Sequence, residues 1–131
     1  MSLVVDASVV VAAAVDTGTH GRWAEEILSR RSLIGPHLLP VEAVNVLRRL
    51  ESHGKLDRLE AAAAARDVTE LDIELLGFTP FAARVWELRG NLAAYDAWYV
   101  AIAELVSADC ATLDRRLAQA SGPTCGFLLP P

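Results

Sequence analysis

Four carboxylates carry the chemical interest of this chain of 131 residues. The first, Asp6, stands in LVVDASVVVAAAV, where every residue from Leu3 to Val15 is apolar except Asp6 and Ser8. An isolated charge in such surroundings is costly unless something pairs with it. Glu42 lies just after Pro40 in PVEAVNVLRRL, Asp96 near the start of YDAWYVAIAEL, and Asp114 in ATLDRRL. Taken singly, an acid at a helix N-terminus has an ordinary explanation, because it stabilises the helix dipole by about 0.3–1 kcal/mol. Asp6 and Asp96 fit that explanation less well, because each sits in apolar sequence where other polar caps would serve.

If the four converge, they repel. At roughly 4 Å and an effective dielectric near 20, one like-charge pair costs about 4 kcal/mol. Protonation or a bound cation must relieve this. Carboxylate oxygens without thiolate or imidazole partners select hard cations, so Mg²⁺ or Mn²⁺ is expected rather than zinc. His20, His37 and His53 have no ligand-like spacing. Two such ions can activate water and stabilise the leaving oxygen of a phosphodiester.

The elements that would bring the acids together are legible as an alternation. Leu3 to Val5, Ser32 to His37, Ile73 to Phe78, Ala108 to Leu113 and Cys125 to Leu129 read as strands. Between them fall helical patterns. An apolar helix follows Ser8, and Trp23, Ala24, Ile27 and Leu28 mark a second. A third, opened by Pro40, carries Ala43, Val46, Leu47 and Leu50 and ends at Gly54. Asp57 suits an N-cap for the alanine-rich stretch to about Val68. A helix from Thr79 to Gly90, one from Tyr95 to Val106, and a short one from Asp114 to Gln119 complete the set.

Such alternation predicts an α/β architecture, a mainly parallel sheet of about five strands covered by helices on both faces, in one domain over residues 1–131. In that arrangement strand C-termini and helix N-termini share one edge, where ligands bind. Asp6, Glu42, Asp96 and Asp114 all map there.

Composition sets limits on the alternatives. The chain is 53% hydrophobic and 22% charged, a balance that favours a packed core over disorder. Its net charge of −5 argues against a protein that coats nucleic acid through general basicity, but leaves a carboxylate-based nuclease open. The opening apolar run lacks a preceding Lys or Arg and is interrupted by Asp6, unlike a secretory signal. It is also too short for a membrane span. Cys110 and Cys125 form neither a metal spacing nor a disulfide framework, so a reduced, cytoplasmic chain is expected.

The ordered set VVDASVVVAA, PVEAVNVLRRL, YDAWYVAIA and ATLDRRL resembles the PIN-domain family, and within it the VapC-type toxins of bacterial toxin–antitoxin pairs. The resemblance spans nearly the whole chain. It implies a PIN-like three-layer sandwich and a divalent-metal-dependent endoribonuclease acting on RNA. It also implies a homodimer and a cognate VapB-like antitoxin that covers the acidic groove. Asp6, Glu42, Asp96 and Asp114 match the family's acidic metal-site positions, and Ser8, Asn45 and Thr112 its supporting polar positions.

Spacing is compatible with those supporting roles. Glu42, Asn45 and Arg49 lie at i, i+3 and i+7 on one helix stripe, so Asn45 is placed to hold the Glu42 carboxylate or to face substrate. Thr112 and Asp114, two apart at a strand end, point to one side, so Thr112 could orient Asp114 or a metal-bound water. Arg115, with Arg49 behind it, is a candidate for RNA phosphates. Trp98 and Tyr99 flank the site but read as core aromatics. Three other readings compete: a DNA- or flap-directed nuclease, a non-catalytic PIN-like domain binding RNA or a regulatory protein, and a phosphoacceptor receiver. The receiver lacks a suitable late-strand lysine, since Lys55 falls in the turn after Gly54.

Overall fold

The computed structural model describes residues 1–131. Strand β1 (Ser2–Val5) runs into helix α1 (Ala7–Val15) and then α2 (Thr19–Ser29). Strand β2 (Ser32–Pro36) leads to α3 (Leu39–Ser52) and α4 (Arg58–Glu70), and β3 (Ile73–Leu76) to α5 (Ala82–Glu87). Helix α6 (Ala94–Val106), strand β4 (Asp109–Ala111), helix α7 (Arg115–Gln119) and strand β5 (Phe127–Leu128) finish the chain. All strand pairs are parallel, in the order β3-β2-β1-β4-β5. The α/β sheet of five strands expected from the alternation is therefore present.

β1 is the central strand, and its sequence shows why. Consecutive strand residues point to opposite faces, yet Leu3, Val4 and Val5 are all wholly buried, so both faces are covered. Helices α1, α3 and α4 pack on one another, with α2 against α1, while α6 packs on α5 and lies against β1, β2 and β4. The apolar α6 buries Ala97, Tyr99, Val100, Ala101, Ile102 and Ala103. Each large side chain taken wholly out of water in this way stabilises the fold by about 1.5–3 kcal/mol.

Several expected boundaries contract. The strands are shorter than their apolar runs, although their ladders continue: His37 N–H donates to Leu76 O at 3.0 Å and Thr112 N–H to Leu128 O at 3.0 Å. The single helix expected from Thr79 to Gly90 is instead α5 between two 3₁₀ turns, Thr79–Phe81 and Leu88–Gly90. Pro80 removes a donor at the start, and the turns close through Phe81 N–H to Phe78 O and Asn91 N–H to Leu88 O. Asp57 caps α4 as its position predicted, in a reciprocal capping box with Glu60 at 2.8 and 3.0 Å.

Two local devices hold the elements that bear on the acids. Gly35 lies under α3: a Cβ there would stand 2.7 Å from Leu39 Cδ1 and 3.7 Å from Val5 O. Its missing side chain lets the first turn of α3 close over the end of β2. On the other side, Arg84 of α5 grips Glu104 of α6 with both arms of its guanidinium, at 2.7 and 3.0 Å. Arg84 also donates to Gly122 O at 2.9 Å, and Thr124 N–H donates to Glu104 at 2.7 Å, which ties in the segment leading to β5.

Candidate active site

The sheet order reverses between β1 and β4, since the chain steps from β1 to β2 and β3 on one side and reaches β4 and β5 on the other. A crevice for ligands opens at such a switch point, beyond the strand C-termini. Asp6 directly follows β1 and Asp114 follows β4. Glu42 lies in the first turn of α3, after β2. Helix α6 ends just before β4 begins, so it runs against the strands and presents its first turn, with Asp96, at the same edge.

Asp6 is the most constrained of the four. Its Oδ1 accepts the Ser8 N–H at 3.0 Å, the Val9 N–H at 3.4 Å and the Ser8 hydroxyl, so it is the N-cap of α1. Its Oδ2 accepts the hydroxyl of the wholly buried Thr112. Its own N–H donates to Ala111 O at 3.1 Å, which extends the β1–β4 ladder to the site. Burial pushes its carboxyl above the ordinary value, and the hydrogen bonds from Ser8 and Thr112 offset part of that rise.

Ser8 and Thr112 stitch the two strand ends together. Ser8 Oγ accepts the Leu113 N–H at 3.1 Å, and Thr112 Oγ1 accepts the Asp114 N–H at 2.9 Å. The hydroxyl of Thr112 thus supports Asp6 through its side chain and Asp114 through its backbone. Asp114, exposed, caps α7 by accepting from Arg116 N–H at 2.9 Å and Leu117 N–H at 3.3 Å.

Glu42 and Asp96 differ from these caps. Burial pushes Glu42 up, the Tyr99 hydroxyl opposes the rise, and the charges of Asp96 and Asp6 add to it. Asp96 is raised by burial first and by Asp114 second. The four acids therefore form a chain of repelling neighbours, Asp6 to Glu42 to Asp96 to Asp114. No three of them are gathered tightly enough to make a ready ligand cage. Their donor chemistry, all oxygen and with two groups raised by a neighbouring carboxylate's charge, fits a hard divalent cation.

The structure reassigns one contact. Asn45 does not hold Glu42; it is exposed, and its Oδ1 accepts from Arg48 Nε at 3.0 Å along the same helix. Glu42 is held instead by Tyr99, whose hydroxyl donates to Oε1 at 2.6 Å. Tyr99 is 2% exposed, as a core aromatic should be, but its polar tip reaches the site. Burial and the adjoining carboxylate push that hydroxyl far above its ordinary value, so it remains a donor. The one available sequence signal is that Tyr99 follows Asp96 by three residues and so shares its helix face. Trp98 packs edge-on against Phe78 at 5.2 Å and keeps its indole N–H buried without a partner.

Of the two candidate arginines, Arg115 adjoins Asp114 and directs one guanidinium nitrogen at Pro130 O, 3.5 Å away. Arg49 is exposed in the last turn of α3, at the opposite end from Glu42, so the shared stripe does not bring it to the acids. An open, largely apolar groove of about 630 Å³ begins at Ser8 and Leu113 and runs between α1 and α3 past Val11, Val46, Leu50 and Leu56. Both cysteines are free, Cys110 buried and Cys125 half-buried.

The fold and sequence have close counterparts. The PIN domain family pattern matches residues 3–123. Ribonuclease VapC9 of Mycobacterium tuberculosis (strain ATCC 25618 / H37Rv) is 33% identical over 129 residues, 98% of each chain. Among solved structures, PAE2754 from Pyrobaculum aerophilum superposes with a TM-score of 0.70 at 29% identity, covering 97% of this chain and 83% of that one. VapBC2 from Rickettsia felis, solved with a DNA fragment from their promoter, shares the fold at a TM-score of 0.69 and 13% identity, with both chains covered completely. With the family pattern running through the strands and helices that bear all four acids, and a VapC ribonuclease alike from end to end, this chain belongs to the PIN-domain family and stands among its VapC members.

Proposed function

We propose that the protein is the toxin of a type II toxin–antitoxin pair, an endoribonuclease that hydrolyses RNA phosphodiester bonds with a divalent cation, Mg²⁺ or Mn²⁺. The observation that carries this reading is the arrival of Asp6, Glu42, Asp96 and Asp114 at one sheet edge from four separate parts of the chain. Its VapC relatives are ribonucleases by name, which supports the substrate class.

These four acids would hold the cation. When bound there, it supplies a water of lowered pKa and a positive charge for the leaving oxygen. Ser8 and Thr112 fix the Asp6 carboxylate against rotation, and Thr112 fixes the Asp114 backbone. No acid needs to act as a general base. Arg115 beside the edge suits an RNA phosphate, because a guanidinium fork matches that anion; exposed Arg49 serves at most a more distant stretch of RNA.

A VapB-like antitoxin is the proposed partner, seated in the apolar groove between α1 and α3 with a cationic side chain at the acids. Exposed Val41 and Val44 on α3 offer apolar surface for the homodimer that the family resemblance implies. No helix is long and apolar enough to cross a membrane, and the two free thiols suit a reducing cytoplasm.

The test is cleavage of single-stranded and looped RNA by the purified chain, with mapping of the new ends. Cleavage that requires Mg²⁺ or Mn²⁺ and stops with a chelator is expected. Absence of cleavage together with tight RNA binding would favour a non-catalytic role. Preference for matched DNA would move the substrate class. Co-expression with a short antitoxin-like reading frame, where one adjoins the gene, tests the partner: a stable, inactive complex is expected.

A further inference from the structure

The acids at the sheet edge are not steadied alike. Asp6 and Asp114 are short side chains pinned by the backbone N–H groups of the helices they cap. Asp96 is also short, with two side-chain torsions, and makes no side-chain hydrogen bond. Glu42 is the long one: its extra methylene leaves the carboxylate free to swing, and freezing such a side chain costs up to about 1.5–2 kcal/mol in rotamer entropy. No cap holds it, and neighbouring Asn45 is turned to Arg48. The one group that fixes it is the Tyr99 hydroxyl at 2.6 Å, delivered from across the sheet edge, 57 residues away.

From this geometry we infer that Tyr99 is a positioning residue of the metal site: it locks the Glu42 carboxylate in register with Asp96, so that α3 and α6 present their acids together. Tyr99 and Asp96 are three residues apart on α6 and share a face, so the hydrogen bond fixes the distance between the two helices' acids as well as the Glu42 rotamer. Tyr99 is anchored for this work. It is 2% exposed within an apolar helix packed on β1, β2 and β4, so its ring cannot follow a wandering carboxylate. The hydroxyl occupies Oε1 and leaves Oε2 unbonded to protein. The inference rests on the nuclease reading given above.

The experiment compares Tyr99→Phe, Glu42→Gln and the double variant with the wild type. Mn²⁺ affinity is measured by calorimetry, and thermal melting is followed without metal. Tyr99→Phe keeps the ring and its packing. It is expected to fold, to weaken Mn²⁺ binding about 3- to 10-fold and to lower kcat for RNA by a similar factor with KM little changed. Raising the Mn²⁺ concentration is expected to restore much of the rate. The double variant is expected to bind Mn²⁺ no more weakly than Glu42→Gln alone, because Tyr99 acts through Glu42.

Wild-type Mn²⁺ affinity in Tyr99→Phe overturns the inference while leaving the nuclease reading intact, provided Glu42→Gln is impaired. Losses that add in the double variant, or a Tyr99→Phe chain that does not fold, make Tyr99 a packing residue and overturn it too. A wild type that binds no Mn²⁺ removes the nuclease reading, and this inference with it.

Discussion

The Thr112 hydroxyl donates to the Asp6 carboxylate across 106 residues of sequence, and it accepts the Asp114 N–H at 2.9 Å in the same stroke. One wholly buried oxygen therefore joins the two ends of the sheet's switch point. Thr112→Val keeps the shape and removes that oxygen. Leaving these two partly buried partners unsatisfied costs about 1–3 kcal/mol. A melting temperature several degrees lower and at least a tenfold loss of RNA cleavage are expected, with Thr112→Ser restoring most of both. Melting curves and cleavage rates on the three chains check this.

Asp96 makes the opposite kind of prediction. Its carboxyl is raised by burial and by the Asp114 charge, and no hydrogen bond compensates. Asp96→Asn removes the repulsion, so the metal-free protein is expected to melt at or slightly above the wild-type temperature. Cleavage is expected to fall at least 100-fold. A variant that cut RNA at the wild-type rate would take Asp96 out of the site.

The Arg84–Glu104 pair governs acid stability away from the site. The Arg84 hydrogen bond holds the Glu104 carboxyl below its ordinary value of 4.5. A carboxyl whose folded pKa is depressed contributes stability that is fully present above its unfolded value and lost as pH falls through the folded one. Partial solvent screening limits the pair to about 1–2 kcal/mol. Glu104→Gln is expected to be less stable than wild type by that amount at pH 7, with the gap closing below about pH 4.5. Denaturant titrations at pH 7 and pH 3.5 decide it; a gap that stayed constant would deny the ion pair its role.

Gly35 links packing to the acids. A methyl there presses on Leu39 Cδ1 at 2.7 Å and must push the first turn of α3 outward or force a new Leu39 rotamer. Gly35→Ala is expected to cost about 1–3 kcal/mol. Because Glu42 lies in that turn, cleavage should drop further than stability accounts for. Unchanged activity in a destabilised chain would show that Leu39 absorbs the strain alone.

The strands and helices are legible in the sequence because both faces of the sheet are covered, so apolar runs such as LVV and YVAIA announce themselves without alternation. Asp6 and Asp114 stand out through their place at strand ends, where they also serve as helix caps. The α5 region was less legible, since Pro80 and Gly90 mark the limits of a helical stretch but not whether its ends tighten into 3₁₀ turns. Of the two roles open to Asn45, the hold on Glu42 is absent for a general reason. Spacing along one helix shows which side chains are neighbours, but Glu42 found its partner on another helix. Tyr99 was hidden because its ring satisfies every criterion for core, and only three-dimensional packing reveals where the hydroxyl ends up.

The position of β1 at the centre of the sheet also imposes an order in time. Asp6 is made more than a hundred residues before its strand partner β4 and its support from Thr112. A chain growing from its amino end carries Asp6, Glu42 and Asp96 before it has the strand that completes their setting. A fragment ending at Ser107 is expected to be inert toward RNA, as a cleavage assay on that fragment would show. For a protein proposed to damage the cell that makes it, the fold thus withholds the blade until β4 and Thr112 have been made.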